Sequence, residues 1–171
     1  YHGAPFHGFA PNDGVPTVGG ALRDALETVL QHDVPVTCAG RTDAGVHALD
    51  QVVHFDTERP VDTELLMRSL NGLCKPHIVV FDVRAVSDAF DARFSCTGRT
   101  YRYRILNRRL PDPFRHDVTW RVAWPLDLDA MNQAGGELLG VHDFSSFCRR
   151  QFVDVDDGQH EKTRVRELRS V

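Results

Sequence analysis

The chain has 171 residues, of which 42% are hydrophobic and 26% charged, a composition typical of one large or two small globular domains. No stretch approaches the ~20 consecutive apolar residues of a membrane-spanning helix, and no basic segment followed by an apolar one indicates a secretory signal. The four cysteines are scattered without a C-x-x-C pair, as is typical of buried thiols in a reducing compartment. We therefore expect a cytoplasmic protein without a membrane partner.

The charges are distributed unevenly along the chain. The net charge is −4, yet residues 93–121 contain eight arginines and two aspartates, a local net charge of +6. A basic segment in an acidic protein favours a surface that binds a polyanion such as RNA. Charge alone leaves an alternative equally open, in which these arginines pair with acidic neighbours on a solvated strand.

The first half of the chain predicts two helices and three short strands. A helix begins after Thr17, a suitable N-cap, because apolar residues recur at helical spacing from Val18 to Leu30. Residues 34–38 predict a buried strand, residues 39–45 a polar loop bracketed by glycines, and residues 52–55 a second strand. A second amphipathic helix is predicted over residues 62–73, and a third strand over residues 78–86.

The second half begins with a strand prediction at residues 100–106, where tyrosine alternates with arginine. We then predict a helix over residues 127–139, a loop over residues 142–147 and a strand from residue 164. Strands and helices interleave without a glycine-rich phosphate-binding motif. This pattern favours an α+β protein with a mixed sheet over a doubly wound one.

The histidines and cysteines do not predict a metal site. The nine histidines are as scattered as the cysteines, with no H-E-x-x-H or comparable ligand spacing. A metal-dependent activity is therefore disfavoured, and we expect no metal ligands.

The loop at residues 40–48 is the strongest candidate for a functional site. It places Arg41, Asp43 and His47 within a few residues, directly after a predicted strand. Loops mounted on rigid elements commonly carry function. The residues alone leave a structural alternative open, in which Asp43 closes an Asx turn and Arg41 is a surface charge.

This loop, G-R-T-D-A-G-V-H-A, resembles the signature of the tRNA pseudouridine synthase A family. The resemblance extends over nearly the whole chain, in order and in approximate spacing. The further motifs are Y-H-G at residues 1–3 with Phe6, Gly8 and Phe9, T-V at 17–18 with A-L at 21–22, L-N-G-L at 70–73, F-D-A-R-F-S at 90–95, R-x-Y-x-Y at 99–103 and H-D-F-S-S-F at 142–147. The chain departs from the family at Ala10 and Gly19, where Gln is common, and at Phe9, where Trp is common.

The resemblance implies an isomerase that converts uridine to pseudouridine in tRNA, with positions 38–40 of the anticodon stem-loop as the expected targets. The reaction breaks the C1′–N1 bond, rotates the base and rejoins it through C5, without a metal or an organic cofactor. Asp43 is the implied catalytic carboxylate. Whether it traps C1′, attacks the base or removes a proton from the sugar is left open by the sequence.

The same resemblance implies substrate-binding roles for four residues. Arg41 is expected to assist the extrusion of the target nucleotide, and Tyr101 to stack on the detached base. Arg93 and Arg99 are expected to contact phosphates. His47 is expected to be a packed or hydrogen-bonded loop histidine and not a catalyst.

The implied architecture is a pseudouridine-synthase-like α+β fold, with a mixed or antiparallel sheet and flanking helices. Its N-terminal half, residues 1–90, carries the catalytic loop and meets a C-terminal half, residues 91–171, in a cleft. The family continues past the position of Val171 with a segment that completes the cleft and helps to form a homodimer. We therefore expect the C-terminal half to be incomplete in this chain and the full-length protein to dimerise.

Two other classes of function are considered. A non-catalytic α+β RNA-binding module would use the alternating tyrosines and arginines without needing a carboxylate. A hydrolase of nucleosides or sugars normally uses two paired acids, whereas this loop offers only Asp43. Both fit the sequence less well than the synthase.

Overall fold

The computed structural model describes residues 1–148 and 163–171, together with the backbone of two strands, Phe152–Val155 and Gly158–Glu161. In this part of the chain, three α-helices and eight short strands alternate, so the expected α+β class is confirmed. The chain forms two compact units. The first comprises Tyr1–Leu106 and Pro111–Arg121, and the second Asn107–Leu110 and Val122–Val171.

Two helices build the core of the first unit, and both were predicted. Helix α1 (Val18–Leu30) begins at Thr17, whose hydroxyl accepts a hydrogen bond from the backbone N of Gly20 at 3.1 Å. Helix α2 (Thr63–Leu73) begins at Asp62, whose carboxylate accepts from two backbone N–H groups of the first turn. Such caps satisfy donors that have no partner within the helix. The buried core residues are Phe9, Val18, Leu22, Ala25, Leu26, Val34, Cys38, Leu66, Leu70, Cys74 and Ile78.

Along the chain, two short strands that pair with each other lie between α1 and α2. Strand β1 (Thr37–Cys38) pairs antiparallel with β2 (Val53–His54), with Cys38 opposite Val53. Both predicted strands are therefore present, although each is shorter than expected. Residues 39–45 form the predicted loop between them.

The remaining strands also pair two by two. Strand β3 (Ile105–Asn107) pairs with β4 (Trp120–Val122). Helix α3 (Leu128–Gly136), capped by Asp127, confirms the predicted third helix. Strand β5 (Gly140–Asp143) pairs antiparallel with β8 (Val165–Leu168), and β6 (Phe152–Val155) with β7 (Gly158–Glu161).

Three local predictions were wrong. Residues 78–86 form no strand, and at Val80 the backbone bonds to a side chain instead of to a strand: the amide of Asn71 donates to Val80 O at 2.8 Å and accepts from Val80 N at 2.7 Å. Residues 100–104 are not in a strand, which begins only at Ile105. The predicted loop at residues 142–147 contains the end of β5 and a 3₁₀ turn, Ser145–Phe147, where the carboxylate of Asp143 accepts from Ser145 N at 2.9 Å.

No helix in the described part of the chain is long and apolar enough to cross a membrane. The division of function between residues 1–90 and 91–171 stays a prediction.

Candidate active site

Residues 40–48, called here the Asp43 loop, lie between β1 and β2. Hydrogen bonds between the residues that flank the loop hold its two ends together. The backbone N of Ala39 donates to Val52 O at 2.8 Å, and the side-chain amide of Gln51 donates to Gly40 O at 2.7 Å. The ends of the loop are therefore fixed by the short strand pair that carries it.

The first nine residues of the chain support the loop from the other side. Tyr1 and Ala48 exchange two backbone hydrogen bonds, and the Tyr1 hydroxyl lies 2.8 Å from Thr42 Oγ1. Further backbone bonds run from Phe9 N to Thr42 O (3.0 Å) and from Gly45 N to Phe6 O (3.1 Å). The opening motif of the sequence is thus a platform for the loop.

Two glycines allow this close contact. A Cβ at Gly3 would lie 1.9 Å from Val46 O. A Cβ at Gly8, which has a φ of +93°, would lie 2.8 Å from Thr42 O. Any larger residue at either position would push the loop away from its platform.

The Asp43 carboxylate is exposed on this supported backbone. Within the described residues, no side chain forms an ion pair with it and no backbone N–H bonds to it. The turn is closed instead by a backbone bond from Val46 N to Asp43 O, at 3.2 Å. The alternative in which the Asp43 side chain closes an Asx turn is therefore not observed.

His47 is half-buried and hydrogen-bonded, as expected. Its Nδ1 accepts from Gly3 N at 3.1 Å, and its Nε2 lies 2.7 Å from Asp117 O. Because a carbonyl oxygen can only accept, Nε2 carries the proton.

Arg99 lies at the base of the loop. Its guanidinium donates to the carbonyl oxygen of Ala39, and a Cβ at Gly40 would lie 2.9 Å from Arg99 Nε. The side chain is exposed. This predicted phosphate ligand therefore also holds the entrance of the loop.

Cys38, the last residue of β1, has a thiol whose pKa is shifted by its surroundings. Burial raises the pKa of the Cys38 thiol, and the positive charges of Arg41 and Arg93 partly oppose this rise. Both are exposed, and the Arg93 guanidinium carbon lies 5.6 Å from the ring centroid of Phe94.

Tyr101 stands apart from these contacts. It is 75% exposed on the extended segment before β3, and among the described residues no hydrogen bond or ring contact joins it to the Asp43 loop. Of the predicted binding residues, Arg41 lies in the loop and Arg99 at its base, whereas no hydrogen bond or ring contact among the described residues joins Arg93 or Tyr101 to the loop.

Sequence reasoning missed the residues that hold the loop. The roles of Gly3, Gly8 and Asp117 depend on contacts across 34 or more positions, which leave no local pattern. The only available signal was the opening motif, which carried the two glycines without indicating their contacts. Among the described residues, no group of three or more His, Cys, Asp or Glu side chains could hold a metal ion.

Comparison with known proteins assigns the chain to a family, although no family model matches it. It is 43% identical to the tRNA pseudouridine synthase A of Methylorubrum extorquens (strain PA1), in an alignment that covers 97% of this chain and 68% of the relative. The corresponding protein of Rhodospirillum centenum is 47% identical, with 86% of this chain and 60% of the relative covered. That of Methylobacterium radiotolerans is 44% identical, with 86% and 58% covered.

The fold and the loop are those of an α+β protein with an exposed, supported carboxylate. The chain belongs to the tRNA pseudouridine synthase A family. It spans about 60% of the length of several curated relatives that it matches.

Proposed function

We propose that the full-length protein is a tRNA pseudouridine synthase that isomerises uridine in the anticodon stem-loop, at positions 38–40, without a metal or organic cofactor. Family membership supports the reaction class. The observation that carries the proposal is the Asp43 carboxylate, exposed and without an ion-pair partner among the described residues, on a loop fixed from both sides.

The reaction requires a carboxylate next to the sugar–base junction. The C1′–N1 bond breaks, the base rotates, C1′ bonds to C5, and the proton on C5 is lost while N1 gains one, so that the atoms balance. A carboxylate can serve as the nucleophile or the base in such a reaction.

The target uridine must leave its stem before the chemistry begins. Extrusion of a base costs a few kcal/mol, which inserted and stacking side chains offset. Arg41 is suited to this step because it lies two residues before Asp43 and is exposed, and its planar group can stack in the vacated position. Tyr101, which is 75% exposed, is suited to stacking on the extruded base, typically worth ~1–3 kcal/mol.

Phosphate binding is assigned to Arg93 and Arg99, whose side chains are both exposed. Arg99 is already oriented by its hydrogen bond to Ala39 O, which lowers the entropy that a phosphate contact would cost. A phosphate bound by Arg99 would therefore lie at the base of the Asp43 loop.

We further propose the pseudouridine-synthase fold for the complete protein, with halves at residues 1–90 and 91–171 that meet in a cleft. The same proposal includes a homodimer, tRNA as the partner, and action in the cytoplasm, where tRNA is modified. These statements rest on the family and on the sequence motifs.

The RNA-binding module is the weaker alternative. It would explain the exposed Arg93, Arg99 and Tyr101, but it gives no reason for a supported loop that presents a carboxylate. The relatives named above are synthases, which also favours the enzyme.

The test is to map pseudouridine in tRNA from two strains. One lacks the gene, and the other lacks it but expresses the full-length protein from a plasmid. We expect pseudouridine at positions 38–40 to disappear in the first strain and to return in the second. Restoration by an Asp43→Asn copy would favour the binding module, and unchanged tRNA in the deletion strain would refute the proposed function.

A further inference from the structure

A histidine of the Asp43 loop makes two directional hydrogen bonds that only one of its forms can make. Nδ1 of His47 accepts from the backbone N of Gly3 at 3.1 Å, and Nε2 donates to the backbone O of Asp117 at 2.7 Å. A neutral ring with its proton on Nε2 satisfies both bonds. A protonated ring would present an N–H at Nδ1 to the N–H of Gly3 and lose that bond.

The partner at residue 117 is itself held in place. The Asp117 carboxylate lies 2.9 Å from Nε2 of His2, with His116 Nδ1 at 3.9 Å on its other oxygen. The ring of His2 packs edge-on against the ring of His47, with centroids 4.5 Å apart. The residue whose carbonyl accepts the hydrogen bond from His47 is therefore anchored to the opening segment on which the loop rests.

The position of His47 lets it act on the catalytic carboxylate through the backbone. It lies four residues after Asp43, next to Val46, whose N–H closes the turn on Asp43 O at 3.2 Å. Its side chain bonds to Asp117, 70 positions away in the sequence. Loss of this bond would leave the C-terminal end of the loop held only by the opening segment and by the strand pair that follows it.

We propose that neutral His47 is a positioning residue that fixes the Asp43 loop by bridging Gly3 and Asp117. The proposal rests on the proposed function of Asp43. A reacting group displaced by about 1 Å can cost about 100-fold in rate. Removal of the bridge should therefore lower turnover and leave tRNA affinity, which the arginines supply, nearly unchanged.

The experiment uses the full-length protein with three substitutions of His47. His47→Ala removes both bonds, His47→Asn can keep the acceptor for Gly3, and His47→Gln can keep the donor to Asp117. In His47→Ala we expect kcat to fall about 10- to 100-fold with a tRNA Kd within threefold of wild type. The Asn and Gln variants should each recover part of kcat.

Asn71→Ala is the matched control, because it also removes two hydrogen bonds between a side chain and the backbone, but away from the loop. It should destabilise the protein and leave kcat within twofold of wild type. A kcat within twofold of wild type in His47→Ala, or an equal fall in Asn71→Ala, would show that His47 contributes only general stability and would overturn the proposal.

Two readouts separate this proposal from the proposed function. The ¹⁵N chemical shifts of the His47 ring at neutral pH should be those of the Nε2–H tautomer, and any other form overturns the proposal. Amide hydrogen exchange at residues 42–46 should speed up at least tenfold in His47→Ala but not in Asn71→Ala. If the wild-type protein converted no uridine, the proposed function would fail, while unchanged exchange in His47→Ala would still reject the positioning role.

Discussion

Asp43 differs in its contacts from other aspartates that occupy turns and helix starts in this chain. Five of these accept hydrogen bonds from nearby backbone N–H groups and thereby stabilise local structure: Asp62, Asp91, Asp112, Asp127 and Asp143. Asp43 also lies in a turn, but within the described residues its carboxylate has no such bond. A side chain that does not stabilise its own turn is available for substrate.

Asp43→Asn should abolish turnover, since the amide keeps the shape of the side chain but removes the charge. We expect kcat on tRNA to fall well below a tenth of the wild-type value, with tRNA Kd changed by no more than a few-fold. The matched control is Asp50→Asn, at an exposed position just after the loop, which should retain full turnover. A residual rate above a tenth of wild type would remove Asp43 from the chemistry.

Arg41 allows the extrusion step to be tested apart from the chemistry. Lysine keeps the positive charge but lacks the planar group that can stack in the position of the extruded base. Arg41→Lys should therefore lower the single-turnover rate strongly on folded tRNA, and clearly less on an RNA whose target uridine is already unpaired.

The control for Arg41 is Arg59→Lys, another exposed arginine of the same unit, which should leave both rates unchanged. Equal losses of Arg41→Lys on the two RNAs would mean that Arg41 acts on the chemical step and not on extrusion. A simple pairing with Asp43 is not observed among the described contacts.

At the scale of secondary-structure elements, the local sequence predicted the helices correctly but mispredicted several strands. All three helices were predicted, the first from its cap at Thr17 and its apolar spacing; the caps at Asp62 and Asp127 were seen only in the structure. A strand needs a partner that its own sequence cannot specify. At Val80, within the predicted strand of residues 78–86, the backbone bonds to the side chain of Asn71 and not to a strand.

The candidate site likewise has a part that the sequence could predict and a part that it could not. Asp43 and Arg41, the residues proposed to act on the substrate, were singled out because they lie in one contiguous motif. The contacts that hold them were not, because Gly3 and Asp117 are distant in sequence from the loop and meet it only after folding. Arg99 was predicted to bind phosphate, and its bond to Ala39 O could not be anticipated.

Asn71→Ala tests the side-chain bridge that replaces a strand pair. It leaves the N–H and the carbonyl of Val80 without their partner, and two lost hydrogen bonds should cost about 1–3 kcal/mol of unfolding free energy. Ser69→Ala is the control on the same helix, because its hydroxyl bonds only to Leu65 O within the helix, and it should change the free energy by less than about 0.5 kcal/mol. Denaturant titration of both variants measures the difference, and equal midpoints would show that Asn71 does not hold residues 78–80.

At the scale of the whole molecule, positive charge is concentrated in one exposed segment of an acidic chain. All eight arginines of residues 93–121 are exposed, in a protein whose net charge is −4. Some also have internal partners: Arg99 bonds to Ala39 O, and Arg115 lies 3.7 Å from Asp112. The acidic remainder of the chain opposes non-specific adhesion to RNA, so we expect affinity to depend on these arginines.

The affinity of the full-length protein for tRNA should therefore fall steeply with salt. Each phosphate contact contributes about −0.7 to −0.9 to the slope of log K against log salt, so several contacts predict a slope of roughly −3 to −6. Arg102→Gln should make the slope less steep by about one contact, since its side chain is exposed in the basic segment. Arg68→Gln is the control and should leave the slope unchanged, because Arg68 is paired with Glu64 on α2, outside that segment.

A flat salt dependence in the wild-type protein would mean that the arginines of residues 93–121 form internal pairs and do not bind phosphate. Equal slopes for wild type and Arg102→Gln would show only that Arg102 does not contact a phosphate.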